Sequence, residues 1–454
     1  MSVSLFYNFS SFAVYKMFFF TKSNELFVTI MKATRFLFIF TFLSSFTFAQ
    51  SNKLKLNLDE TGKTYIKASL RMQLWARYFD TNPGTTINNE IANNVFDVSL
   101  RRVRMGLSAQ LTPKLYVYSL FGGNNLNSKT EKNFQFGVLD LYAEYEFAKE
   151  FSLGFGESGW EGLNRWNVRS SVTLMSLDTP LFSLLTVNKN DDVARSLGIW
   201  AKGQIHKFDY ILSLKNPTQY GVAATEGKVD YAINNPRKRI SGYVKYEFLD
   251  NESNKSAYSG GAGTYIGTKN ILNLGAGFMN QPKMTSQLVN GVEKYYDFKN
   301  WAIDVFYDAP LNKEKGTAIT TYLGYNHNDF GPNYVRNVGA NDITSGGTSF
   351  NGSGNDFPMM GTGNTTFFQL GYALAKGKKS YQLQPNIAVQ YSDFDALDDA
   401  MIVYDLGVNC FFKGHANKLT LSYQNRPVYQ NINNQLKVDE RKGMAVLQYQ
   451  IIIN

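Results

Sequence analysis

The sequence predicts an all-β fold, a transmembrane antiparallel β-barrel of about sixteen strands, and three observations carry that expectation. Segments of roughly ten residues with one polar and one apolar face recur about sixteen times along the chain. Short Gly- and Lys-containing turns alternate with long polar connections, an asymmetry that barrels of the outer-membrane type show. Mean hydropathy is only −0.27 although 44% of residues are hydrophobic and 15% aromatic. No internal run approaches the roughly 20 apolar residues of a spanning helix, so a helical membrane protein is excluded.

The clearest element is Asp97 to Gln110. Arg102, Arg104, Gly106, Ser108 and Gln110 fall on one face, and Val103, Met105, Leu107, Ala109 and Leu111 on the other, at the two-residue period of a strand. A half-buried strand of a soluble sandwich would alternate in the same way, so recurrence decides the matter. Lys63 to Phe79 repeats the pattern, with Ile66, Ala68, Leu70, Met72, Leu74 and Ala76 against Lys67, Ser69, Arg71, Gln73 and Arg77.

Thr112-Pro113-Lys114 turns the chain into Leu115 to Phe121. Gln135 to Phe147 sets Leu139, Leu141, Ala143, Tyr145 and Phe147 against Asp140, Tyr142, Glu144 and Glu146, and Phe151 to Glu157 follows. Ser158 to Ala194 reads as a long loop that can fold inward; Val168 to Met175 carries what alternation it has, and a strand or strand pair is expected there. Regularity returns in Arg195 to Ile205, Phe208 to Lys215, Arg239 to Phe248, Asn270 to Asn280, Asn300 to Asp308 and Thr317 to His327. Asn328 to Asn364, rich in Gly, Asn and Ser, is expected to be an exposed loop. Tyr381 to Asp393, Met401 to Lys413, Lys418 to Arg426 and Gly443 to Ile453 complete the wall. Tyr145, Trp301, Tyr307, Tyr325, Tyr372 and Tyr391 sit near strand ends on the apolar face, where an interfacial girdle belongs.

The N-terminus has the form of an export signal. Met31, Lys32 and Arg35 make a basic end, Phe36 to Phe48 a short apolar core, and Thr47-Phe48-Ala49 a small-x-small site, so 31–49 is read as a signal peptide cleaved after Ala49. Residues 1–30 precede a signal that is complete without them and are expected to be an upstream extension outside the mature protein. The barrel then occupies 50–454. Cys410 is the sole cysteine, which rules out an intramolecular disulfide, and three histidines offer no zinc-like cluster. Net charge is +9 for the whole chain; four basic residues and one acidic residue in 1–49 leave +6 for the rest. That modest excess suits anionic partners and falls far short of a nucleic-acid signature.

Ser99-Leu100-Arg101-Arg102-Val103-Arg104-Met105-Gly106, with Leu139 to Phe155 and Ala194 to Asn216, resembles the phosphate-selective porin O and P family of bacterial outer membranes in order and spacing. The resemblance implies a homotrimeric diffusion pore in outer-membrane lipid. Two departures stand against it. Glu157-Ser158-Gly159-Trp160-Glu161 replaces a stretch that in the family carries Gln, an aromatic, a basic residue and Pro, and the chain ends in Ile451-Ile452-Ile453-Asn454 without a terminal aromatic.

The strand phasing turns more basic than acidic side chains to the lumen. Lys67, Arg71, Arg77, Arg102, Arg104, Lys202, Lys207 and Arg239 are the candidate pore-lining residues, with Asp140, Glu144, Glu146 and Asp209 among the opposing acids. Such charges can draw anions through a wet lumen, or neutralise one another across the wall. Asp191-Asp192 reads as solvated loop charge. No nucleophile elbow, phosphate loop or histidine triad appears, so no enzyme and no cofactor is expected. The reading is a pore for small hydrophilic solutes with a weak preference for anions; the alternative is a non-conducting barrel serving as adhesin, receptor or scaffold.

Overall fold

Sixteen strands close on themselves in the computed structural model of the chain. Residues 54–127, 136–159, 162–168, 170–190, 194–218, 221–233, 237–254, 262–343 and 345–454 are described. The expected signal peptide and upstream extension, and Trp160, Glu161, Arg169, Asp191 and Asp192, lie outside them. The first eight wall strands are β1 (Tyr65–Asp80), β2 (Asn94–Gln110), β3 (Leu115–Leu126), β4 (Gly137–Ala148), β5 (Phe151–Ser158), β6 (Ser196–Ile205), β7 (Phe208–Lys215) and β8 (Arg239–Glu247). The second eight are β9 (Ile271–Val289), β10 (Val292–Asn312), β11 (Thr317–Asp329), β12 (Gly363–Ala373), β13 (Gln382–Phe394), β14 (Met401–Phe411), β15 (Asn417–Ile432) and β16 (Gln435–Ile453).

Each strand pairs antiparallel with the next, and β1 pairs with β16 from Leu70↔Ile453 to Phe79↔Met444. Closure leaves the wall without an open edge, as lipid requires. The outward set is apolar and exposed: Met105, Leu107, Leu141, Ile199, Leu212, Ile303, Leu323 and Leu421 are examples. Aromatic rings cluster near the turn end, where Tyr145 meets Phe147 at 4.8 Å, Phe147 meets Phe151 at 5.6 Å and Tyr246 meets Phe248 at 4.7 Å. Toward the loop end Trp301 packs on Tyr325 at 5.6 Å. These are the two belts that anchor a wall at its interfaces.

Four features depart from the sequence reading. Val168 to Met175 forms no strand among its described residues; it is turn and short 3-10 structure. Gly363–Ala373, which the alternation left unassigned, is a full wall strand and keeps the number at sixteen. The loop asymmetry is incomplete, because β9–β10 and β15–β16 are joined by two-residue turns at the long-loop end. Asn290 and Gly291, like Asn433 and Asn434, all have positive φ, the geometry of the type I′ hairpin turn. Conversely, 248–270 is a long connection at the turn end.

The expectation of an exposed loop over Asn328 to Asn364 is also overturned. Phe330, Tyr334, Val338, Ile343, Phe357, Met359 and Met360 are buried, and Val335–Val338 pairs with Phe357–Gly361. The loop folds back into the barrel mouth, where Asn341 donates to Ser99 and Arg77 donates to the Ala340 carbonyl. Its Asn content satisfies backbone groups inside the mouth: Asn337 donates to the Phe350 carbonyl and Asn351 to that of Pro427.

Candidate functional site

The lumen is organised by the loop 159–195, which leaves β5 and crosses the interior before β6. Its entry is a backbone approach. A Cβ on Gly277 of β9 would lie 2.4 Å from the Leu163 carbonyl oxygen, so glycine there lets the loop lie flat on the wall. Arg165 then reaches Glu252 of the connection 248–270 through two bonds, 2.8 and 2.6 Å, with both side chains fully buried. Glu252 also accepts from Lys245, Asn273 and Tyr265. A bidentate pair with its remaining lone pairs filled is the arrangement in which a buried ion pair repays its desolvation.

The loop has two chemical sides. Leu174, Leu181, Phe182, Leu184, Leu185 and Val187 join one buried apolar cluster with Met279, Phe298, Phe306, Tyr322, Phe367, Met401 and Val403 of the wall. Ser170, Ser171 and Thr179, with Trp166, Val172 and the edge of Leu184, line a cleft with Arg71, Arg102, Arg104 and Arg195. This cleft, about 70 Å³ available to the centres of water molecules, has no Asp or Glu in its lining.

Local irregularities bring the arginines together. On β2, Gln73 faces Arg102 while the next residue, Leu74, faces Leu100, so Arg101 is the extra residue of a β-bulge. The bulge shifts the phase. Val95, Asp97 and Ser99 point inward before it and Arg102 and Arg104 after it, with Arg101 buried as well. Arg101 and Arg102 both hold Asp178 of the loop, at 2.8 and 2.6 Å. Burial alone would raise the Asp178 carboxyl; the two guanidiniums outweigh it and hold it down to about 2. Arg104 donates to the Gly123 carbonyl at 2.7 Å and to the Asn124 side chain. Arg195 pairs with Asp140 at 3.2 Å.

Of the eight residues singled out by phasing, Arg71, Arg102 and Arg104 line the cleft. The others are placed elsewhere. Arg77 is buried against Asp97 at 3.2 Å, Lys202 against Glu144 at 2.7 Å, and Arg239 donates to Ser196. Lys207 lies at a turn on the Leu249 carbonyl and Asn251, and half-buried Lys67 faces Ser108 of β2. Arg101 and Arg195 were missed. Arg101 takes its place from a bulge that strict alternation cannot show, and Arg195 follows Ala194, whose φ of 68° breaks the parity before β6 begins.

No family model matches the sequence, and no curated protein matches it in a sequence comparison. Solved structures do match. An anion-selective porin from Comamonas acidovorans aligns with a TM-score of 0.50 at 12% identity, covering 86% of this chain and 100% of that one. OmpF of Salmonella typhi, solved in complex with daunomycin, gives 0.50 at 10% identity over 86% and 98%. OprB of Pseudomonas putida gives 0.50 at 8% identity over 87% and 95%. The closed wall, its apolar belt and these likenesses together give the chain the sixteen-stranded porin fold of bacterial outer-membrane proteins.

Proposed function

We propose that this protein is an outer-membrane pore for small hydrophilic solutes with a weak preference for anions, and that the preference originates in the cleft between β1–β3 and the loop 159–195. The observation that carries the reading is the lining itself: four arginines, neutral hydroxyl, amide and apolar groups around them, and no carboxylate. Guanidinium stays charged at any working pH and offers a planar donor fork to a passing oxyanion. Asp178 and Asp140 each sit behind an arginine and temper the field, which is why the preference is weak. The resemblance of Arg101-Arg102-Val103-Arg104 to the phosphate-selective porins supports the same assignment, and with it a homotrimer.

The test is the reversal potential of purified protein in planar bilayers across a salt gradient. Wild-type protein should prefer anions, and the Arg102→Gln, Arg104→Gln double variant should move toward neutrality. A wild-type pore preferring cations would overturn the proposal. Complete absence of stepwise conductance would favour the second reading, a non-conducting barrel acting as receptor, adhesin or scaffold. The observation on its side is the apolar packing of both inserted loops against β9–β14.

A further inference from the structure

Asp178 and Thr179 form a partition with a second cleft behind it, where the Arg101 guanidinium lies 5.5 Å from the Trp75 ring. This cleft offers about 70 Å³ to the centres of water molecules, space for roughly five waters at the usual minimum per site. Its chemistry is the reverse of the first. Trp75, Phe357 and Phe367 present aromatic surface, Met359 and Met444 present thioethers, and neither Lys nor Arg is in the lining. Two carboxylates reach it. Asp178 is committed to Arg101 and Arg102. Asp405 of β14 is half-buried, and its one hydrogen bond among the described residues comes from the Gln424 amide at 3.1 Å. No Lys or Arg of the described residues forms an ion pair with it.

A carboxylate set among apolar groups with a single amide donor costs free energy unless it takes up a proton or a cation. Neighbours discriminate between cations. An alkali ion must replace a full shell of oxygen ligands, and a primary ammonium must satisfy three donors. Beside its aromatic rings and sulfur the lining holds Ser176, Thr179, Gln390 and Gln424, but Ser176 is already bonded to the Asp178 carbonyl and to Gln369, and Asp178 to Arg101 and Arg102. A quaternary ammonium has no donors to satisfy and is held by ring faces together with a nearby negative charge. We propose that the cleft at Asp405 is a binding site for small quaternary or fully methylated ammonium cations. The site is separate from the arginine cleft, and its occupancy does not depend on whether the barrel conducts.

Tetramethylammonium chloride titrated into the detergent-solubilised full chain in a calorimeter tests this, with potassium chloride and sodium phosphate as parallel arms. Saturable tetramethylammonium binding at pH 8 is expected, unaffected by phosphate. Asp405→Asn should weaken it by about tenfold, equivalent to about 1.4 kcal/mol. Phe367→Leu, which stays apolar but removes the ring, should weaken it without creating affinity for potassium. Absence of saturable binding at pH 8, equal binding and mutual competition by potassium, or undiminished binding in either variant would overturn the proposal. The conductance experiment reads the arginine cleft independently, so failure of one leaves the other standing.

Discussion

The two halves of this barrel's wall turn different interiors inward while presenting the same exterior. From β1 to β8 the inner face sets ion pairs around a small aromatic cluster of Tyr118, Tyr142, Trp200 and Tyr243: Glu144 with Lys202, Arg195 with Asp140, and Lys245 with Glu247 at 2.9 Å, beside Arg102 and Arg104. From β9 to β14 it carries Met279, Phe298, Phe306, Tyr322, Phe367, Met401 and Val403 among scattered amides and acids. Ion pairs and hydrogen bonds from the inserted loops, Arg101 and Arg102 to Asp178 and Asn341 to Ser99 among them, meet the first half; the apolar side chains of the loop 159–195 and the mouth loop 330–362 pack against the second. A barrel interior is therefore patterned by what lies against each strand, and alternation reports the lipid side more faithfully than the lumen side.

The comparison breaks most severely where the loop is nailed to the apolar half. Phe182, 2% exposed, packs on Phe367 at 5.1 Å, and Phe182→Ala should cost about 3–5 kcal/mol, the usual range for a buried phenylalanine. Urea unfolding of the folded barrel in detergent measures it. A loss under about 1 kcal/mol would show that the loop rests on the wall without a packed core. Glu252→Gln attacks the same loop from the ionic side by leaving Arg165 buried without its carboxylate, and should cost about 3 kcal/mol or more. Because that pair is dry, added salt should change the loss little. A strong salt dependence would place the pair in water.

Exterior and interior are compared by two adjacent positions on β2. Leu107 is 46% exposed on the outer face, and Leu107→Arg should cost about 2–4 kcal/mol near the midplane. Ser108 faces inward across from Lys67, so Ser108→Arg should assemble normally and change conductance. Equal heat stability of the two variants on a folded-barrel gel would remove β2 from the membrane wall.

Most of the wall could be read from residues because its exterior obeys one rule. Met105 and Leu107 alternate with Arg104, Gly106 and Ser108 as expected, and of the six girdle positions Tyr145, Trp301, Tyr325, Tyr372 and Tyr391 are exposed while Tyr307 is half-buried. What escaped was whatever alternation does not encode. The Arg101 bulge adds a residue to one strand, Ala194 reverses parity through one backbone angle, and Gly363–Ala373 hid behind the Gly- and Asn-rich segment before it. Composition misled for 330–362 because polar residues that satisfy backbone groups in a crowded mouth look the same in sequence as residues that face solvent.

The smallest expected effect concerns that mouth loop and pH. Asp342 packs near Arg77 and accepts from the Ile343 amide; burial raises its carboxyl from 3.8 to about 6, and the Arg77 charge offsets only part of that. Burial likewise pushes Asp356 up, with Asp342 adding repulsion and Arg426 opposing it. A carboxyl whose folded pKa lies above its unfolded one binds more protons when folded, so docking of 330–362 strengthens as pH falls from 7 through 6 and levels off near the ordinary carboxylate range. The gain from Asp342 alone is about 2 kcal/mol between pH 7 and pH 4. Asp178 sets the contrast. Held down to about 2 by Arg101 and Arg102, it keeps its charge over that whole interval, so the partition between the clefts stays fixed while the mouth loop tightens. Hydrogen exchange of amides 338–356, corrected for intrinsic rate, should slow at pH 5 relative to pH 7, and Asp342→Asn combined with Asp356→Asn should abolish most of the difference. Protection that falls on acidification would mean the Arg77 pairing, rather than the cost of burying two carboxylates, governs how the loop sits in the mouth.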